Sequence, residues 1–302
     1  MNSNIDFSSK FKLANILSLS IFIMSVLFIL FKGLNYGIDF KGGTLIELRS
    51  ENNNISISKI RSSLNSMNLG DVSIKEFGKK GDFLIKIEQK TENNNNLIPQ
   101  IKKTLINNLN SEVSFRRVEN VGPKVSSELL QSGVIAISLS LAAMLFYIWI
   151  RFEWQFSVGS IVALFHDVII TIGIFSILSL EINLSIIAAV LTIVGYSMND
   201  TVVIYDRIRE NLNKYTKLNI SELSNLSVNE TLSRTIITSI TTLLALLSIY
   251  ILGGEILRGF SFAMILGVLI GTYSSIFVAA PVLKFFKVSY KTLEKKEEKI
   301  VP

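Results

Sequence analysis

Leu184-Ser-Ile-Ile-Ala-Ala-Val-Leu-Thr-Ile-Val-Gly-Tyr-Ser-Met-Asn-Asp-Thr-Val-Val-Ile-Tyr205 is the stretch that decides the fold. A hydrocarbon core of about 30 Å takes roughly 20 apolar residues in a helix. The stretch is long enough, and its single acidic residue is Asp200. Val202, Val203 and Ile204 follow that carboxylate, so Asp200 reads as lying in the membrane rather than in a loop. A charge there is expensive and usually faces a bundle interior or a water path.

Five more runs of this kind flank it: Leu13–Phe31, Val134–Ile150, Ser157–Leu178, Thr235–Leu252 and Phe260–Phe285. The first is too long for a signal peptide, and no small-residue cleavage pattern follows it, so it reads as an uncleaved helix. Composition agrees with a six-span membrane protein. Of 302 residues, 49 % are hydrophobic and 18 % charged, against about 25 % charged in soluble domains. With no cysteine and one histidine, thiolate metal sites, disulfides, a cysteine nucleophile and a multi-histidine metal centre are excluded. No Gly-x-x-x-x-Gly-Lys run supplies a nucleotide site. Neither a metal nor a cofactor is expected.

The net charge of +6 is a topology signal, not a nucleic-acid footprint, because no basic stretch combines with aromatic platforms. Lys10 and Lys12 precede the first span and Arg151 separates the second and third. Arg207, Arg209, Lys214 and Lys217 separate the fourth and fifth, and Lys284, Lys287, Lys291, Lys295, Lys296 and Lys299 follow the sixth. The opposite short loops carry only Arg258. The positive-inside rule puts both termini in the cytoplasm. The expected division is 1–12, cytoplasmic; 13–32, first span; 33–128, an outward domain; 129–285, spans two to six; and 286–302, a basic cytoplasmic tail.

In the outward segment Thr44–Arg49, Val72–Phe77, Phe83–Glu88 and Val113–Val118 alternate as strands. Ile57–Met67 and Leu97–Leu109 have helical spacing. The order βαββαβ predicts a ferredoxin-like α+β domain, with Lys79-Lys80-Gly81-Asp82 as a hairpin turn. Asn-rich patches at 52–54 and 93–96 read as polar loops. This domain offers no acid/base pair, phosphate loop or metal cluster, so it reads as a binding or mechanical part.

Three polar places stand inside the spans. His166 and Asp167 fall near the middle of the third span, either as a structural pair or as a titrating pair on a proton path. Asn199 and Asp200 lie in the fourth. Arg234 opens the fifth, which carries Thr235, Thr238, Ser239, Thr241 and Thr242. Opposite helix directions put Asp200 and Arg234 at similar depth. Two readings stay open for Arg234: a snorkelling anchor, or the counter-charge that holds Asp200 ionised until a proton releases it. Asp206 and Arg207 read as solvated boundary charges. Gly267-Val-Leu-Ile-Gly271 favours close helix approach, with packing inside the chain as the expected use.

Several ordered motifs resemble the SecD/SecF family of Sec translocon accessory subunits. Tyr36-Gly-Ile-Asp-Phe-Lys-Gly-Gly43 and Val121-Gly-Pro-Lys-Val-Ser-Ser-Glu-Leu129 resemble both branches. Ala163-Leu-Phe-His-Asp-Val168, the motif from Thr192 to Asn211, and Ser233-Arg-Thr-Ile-Ile-Thr-Ser-Ile-Thr-Thr242 resemble the SecF branch. The resemblance implies six helices forming half of an RND-type bundle with one ferredoxin-like periplasmic domain, in the bacterial inner (plasma) membrane. It implies a complex with SecD and YajC on SecYEG, assisting export of polypeptides with the proton-motive force and without enzymatic chemistry. Asp200 and Arg234 match the residues linked to proton transport, and His166 and Asp167 match the third-span motif. Gly37, Asp39, Gly42 and Gly43 match the signature, expected to act as a hinge between span and domain. Two alternatives stand beside it: a translocon scaffold without proton transport, and an RND-type exporter half for small molecules or lipids.

Overall fold

The structure is a computed structural model that describes residues 5–50, 55–67, 69–70, 72–88, 97–109, 113–290 and 292. The Asn-rich patches at 52–54 and 93–96 and most of the basic tail (Lys291 and 293–302) lie outside these residues. A 3₁₀ turn, Ser8–Lys10, leads into α1 (Phe11–Phe31). There follow β1 (Asn35–Tyr36), α2 (Ile38–Lys41), β2 (Gly43–Ser50), α3 (Ile57–Asn65), β3 (Val72–Glu76), β4 (Asp82–Ile87), α4 (Leu97–Leu109) and β5 (Val113–Val121). The remainder is α5 (Pro123–Arg151), α6 (Trp154–Ile177), β6 (Glu181–Ile182), α7 (Leu184–Lys214), α8 (Ile220–Leu252), α9 (Gly254–Ser274) and α10 (Ala280–Phe285). A π-helical turn, Ser275–Ala279, joins the last two. Among the described residues six helical segments are long and apolar enough to cross a membrane, and the chain is a multi-pass membrane protein. Two compact units result, residues 36–135 with 181–184, and the rest.

The smaller unit contains the four-stranded sheet, in the order β3-β4-β2-β5. β4 pairs antiparallel with β2 (Ile46 opposite Ile85) and with β3 (Ile74 opposite Ile85). β5 closes the other edge against β2, with a bulge between Glu47 and Leu48. This is the βαββαβ arrangement the alternation predicted. Ile46, Leu48, Phe83, Ile85 and Ile87 turn one face of the sheet toward Ile60 and Leu64 of α3 and Ile101 and Leu105 of α4. All are buried, and burying each such side chain stabilises by about 1.5–3 kcal/mol. The β3–β4 turn closes through the Asp82 N–H on the Lys79 carbonyl at 3.0 Å, with Gly81 at φ +93°.

In the larger unit α6, α7 and the α9–α10 segment are the buried helices, and α1, α5 and α8 are mostly exposed. Small residues permit the closest approaches. A methyl group on Gly173 of α6 would stand 2.3 Å from the Ser25 Cβ of α1. On Gly267 of α9 it would stand 2.3 Å from an Ile193 side-chain carbon of α7, and on Gly271 it would stand 2.9 Å from the Ser197 Cβ. The Gly267–Gly271 pattern therefore packs helices within the chain.

Two helices overrun their apolar stretches. The 31 residues of α7 measure about 46 Å at 1.5 Å per residue, some 15 Å more than the hydrocarbon core. Its partner α8 starts at a capping box, where Asn219 accepts the Ser221 and Glu222 N–H groups and Glu222 reaches back. The overhanging turns of α7 and α8 are pinned together. Arg207 Nε meets Glu230 Oε2 at 2.6 Å, and Asn211 Nδ2 donates to Ser227 Oγ (2.9 Å) and Glu230 Oε2 (2.7 Å). Asp206 pairs with Arg151 at 2.9 Å. Asp206 and Arg207 are thus paired as well as partly exposed, and the segment between the fourth and fifth spans is a helical hairpin rather than a loop.

Candidate functional site

Asp167 is the hub of the helix bundle. It stands on α6, fully buried. Its Oδ2 accepts from Ser197 Oγ of α7 at 2.5 Å and from Ser274 Oγ of α9 at 2.7 Å. Its Oδ1 lies 2.9 Å from His166 Nδ1. One carboxylate thus joins three helices, each partner being presented by a neighbouring small residue or a helix end. Gly271 lets α7 bring Ser197 close, and Ser274 is the last residue before the π-helical turn. Such single-turn insertions free backbone groups, and here the Ala279 carbonyl is taken by the Tyr205 hydroxyl at 2.9 Å.

His166 lies under the ring of Tyr273, with centroids 6.4 Å apart and an interplanar angle of 24°. Tyr273 in turn donates its hydroxyl to the Ala14 carbonyl at 2.9 Å, and its oxygen is 2.9 Å from Ser18 Oγ, both on α1. The other ring nitrogen of His166, Nε2, is buried and has no hydrogen-bond partner among the described residues. With Nδ1 facing the Asp167 carboxylate, the Nδ1–H tautomer or the imidazolium satisfies that contact.

Asp200 is built differently. It is 3 % exposed, and its Oδ2 has no hydrogen-bond partner among the described residues. One residue on, Thr201 Oγ1 lies 3.0 Å from Ser275 Oγ of the π-helical turn. Burying an unpartnered carboxylate oxygen is costly, so the group is held in a place that does not stabilise its charge by contact. The Asp200–Arg234 ion pair that equal depth suggested is not formed, since no nitrogen–oxygen approach of 4.0 Å or less joins them. Arg234 is exposed while Asp200 turns inward. The two helices meet close by, where Tyr196 Oη donates to the Thr238 carbonyl at 3.2 Å, one turn from Asp200 and one turn from Arg234. Depth along two helices fixes only one coordinate of a side chain, and rotation about each axis decides whether the pair meets.

The exposed face beside this site is polar. Asn199 and Thr192 of α7 and Arg234 and Thr241 of α8 are exposed, and Tyr196 Oη lies 3.3 Å from Thr242 Oγ1. Polar side chains at membrane depth normally face protein or a wet cavity.

The signature residues lie in the smaller unit. Gly42 and Gly43 adopt φ +79° and +136°, a region that favours glycine. A Cβ on Gly43 would stand 2.5 Å from the Ile87 carbonyl oxygen, and one on Gly42 3.1 Å from Ser126 Oγ. Their smallness serves close approach of β2 to β4 and to the start of α5. Gly37 donates its N–H to the Ile182 carbonyl at 2.8 Å. Asp39 Oδ2 accepts the N–H of Leu184, the first residue of α7, at 2.9 Å.

Reading the sequence for charges found Asp167 and Asp200 but missed the residues that complete the site: Ser197, Ser274 and Tyr273. A signal was present in the two adjacent serines of Thr272-Tyr-Ser-Ser-Ile276, inside an otherwise apolar span. Among the described residues no cluster of three or more His, Cys, Asp or Glu groups could hold a metal ion.

Fold and site together define a class: multi-pass membrane proteins that carry a βαββαβ domain and hold buried carboxylates in the core of the helix bundle. Known proteins of that class resemble this chain closely. The family described as "Protein export membrane protein SecD/SecF, C-terminal" matches residues 101–289, and the "SecD/SecF GG Motif" matches residues 27–53. Protein translocase subunit SecF of Rickettsia bellii (strain OSU 85-389) is 47 % identical, covering 93 % of each chain. That of Rickettsia rickettsii (strain Sheila Smith) is 45 % identical over 96 % of this chain and 95 % of its own. The crystal structure of SecDF, a translocon-associated membrane protein from Thermus thermophilus, superposes with a TM-score of 0.86 at 36 % identity, covering 95 % of this chain. SecDF in its super-membrane-facing form gives 0.71 at 34 % identity. This chain spans about two fifths of those SecDF chains (39 % and 40 %). The chain belongs to the SecD/SecF family of protein export membrane proteins, and the relatives it matches over nearly their whole length are SecF subunits of the protein translocase.

Proposed function

We propose that this chain works as the SecF-type subunit of the Sec translocase accessory complex in the bacterial plasma membrane, coupling proton movement to late steps of polypeptide export. The observation that carries this reading is Asp200: a buried carboxylate in a membrane helix, one oxygen unpartnered among the described residues, with the exposed cation Arg234 on the neighbouring helix and not bonded to it. In this reading a proton arriving at Asp200 removes the charge on which Arg234 acts, and α7 and α8 settle into a second arrangement. One charge crossing 100 mV is worth about 2.3 kcal/mol, enough to bias such an equilibrium. Both termini then face the cytoplasm and residues 33–128 the periplasm, where the domain meets the emerging polypeptide. The polar face of Asn199, Arg234 and Thr241 supports a membrane-embedded partner at that face, for which SecD is the family's candidate, with SecYEG and YajC as further members of the assembly.

Asp167 favours a second reading for its own position. With three protein partners it resembles a structural pin, and it suits a scaffold as well as it suits a proton relay. The roles separate by experiment. Replacing Asp200 with Asn keeps size and removes the titration. The expected result is loss of the export component that depends on the proton-motive force, at unchanged membrane levels of the protein. Wild-type export from that variant would remove the proton role and leave the scaffold.

A further inference from the structure

In the connection between α6 and α7, Glu181–Leu184 group with the α+β unit and not with the helix bundle. Backbone pairing, a side-chain cap and an ion pair hold these residues. β6 pairs with β1. The Gly37 N–H donates to the Ile182 carbonyl at 2.8 Å. The Asp39 carboxylate accepts the first N–H of α7 at Leu184, where a negative charge also meets the positive end of a long helix dipole. Glu181 forms an ion pair with Lys86 of β4. A Cβ on Gly37 would stand 2.5 Å from Glu181 Oε1, so a larger residue there would displace the Glu181 side chain.

The two helices that leave this connection are the ones that matter for the site. α6 carries His166 and Asp167, and α7 carries Ser197 and Asp200. We propose that Glu181–Leu184, gripped by Gly37, Asp39 and Lys86, is a clasp through which displacement of α6 and α7 is delivered to the α+β domain. This inference rests on the proton-coupling reading above. It changes the role of the signature: Gly37 and Asp39 hold a grip rather than supply a free hinge.

The test uses the full-length chain, co-reconstituted with its SecD-type partner and the translocon in vesicles. Two readouts are taken: proton uptake, and export of a precursor with and without a proton-motive force. Lys86→Glu places two like charges at the clasp. The expected result is loss of the proton-motive-force stimulation of export with proton uptake retained. The charge-swapped double variant Lys86→Glu/Glu181→Lys should restore the stimulation. Asp39→Ala should show the same split, with Asp39→Asn, which keeps an acceptor for the Leu184 N–H, closer to wild type. Undiminished stimulation in Lys86→Glu, loss of proton uptake together with export, or failure of the swap to restore would each overturn the clasp. An Asp200→Asn chain that still takes up protons would overturn the proton reading instead, and the swap result would stand apart from it.

Discussion

At the scale of single residues, the buried carboxylates carried by α6 and α7, Asp167 and Asp200, have opposite circumstances. Asp167 is satisfied by Ser197, Ser274 and His166, whereas Asp200 has an oxygen with no partner among the described residues. Hydrogen bonds to charged groups contribute about 1.5–3 kcal/mol each, and orphaning a buried one costs at least as much. Ser274→Ala should therefore lower the stability of the detergent-solubilised protein by about 1–3 kcal/mol, read as a fall in its unfolding midpoint. Asp200→Ala should lower it far less, since little bonding is lost there. Equal destabilisation by the two would contradict this contrast. Sequence inspection located both carboxylates because a charge in an apolar run is visible on its own. It did not locate their hydroxyl partners, because serine is common in membrane helices and only a three-helix meeting point makes Ser197 and Ser274 special.

At the scale of elements, close packing of glycine against side chains sets which helices touch. Gly267→Val would press two methyl groups into Ile193, and overpacking of this kind costs typically about 1–3 kcal/mol. Gly271→Ala presses on Ser197 and so on the bond from Ser197 to Asp167. Both should reduce thermal stability in detergent, and Gly195→Ala, whose nearest neighbour would be the Met144 methyl at 3.9 Å, should not. The strands and helices of the α+β domain were legible because alternation and 3.6-residue spacing are local properties. The ends of the long helices were not. α7 and α8 run past their apolar stretches because the Asn219–Glu222 cap and the Arg207–Glu230 and Asn211–Ser227 contacts hold polar turns together. A hydropathy pattern sees only where apolar residues stop. The π-helical turn at Ser275–Ala279 left no pattern to read either.

At the scale of the whole molecule, the proposed topology has a direct check, since the sequence contains no cysteine. Single cysteines at Ser58, in the α+β domain, and at Lys217, between α7 and α8, should react with a membrane-impermeant thiol reagent from opposite sides of sealed cells and inverted vesicles. Labelling of both from one side would reverse the assigned orientation. Core truncations should act within one unit: Ile85→Ala, at the centre of the sheet, should cost about 2–5 kcal/mol. It should expose residues 36–135 to protease, with fragments that keep the six apolar segments.

The sequence by itself determined the six apolar segments, the βαββαβ order, the buried carboxylates and the family, because each rests on residues near one another along the chain. Only the tertiary structure decided that Asp167 rather than Asp200 binds three helices together, that Arg234 and Asp200 do not bond, and that Glu181–Leu184 are held by the α+β domain. Those outcomes depend on how each helix is rotated about its axis and on which distant backbone groups find partners. Neither is encoded in spacing along one chain segment; both are set when many segments pack at once.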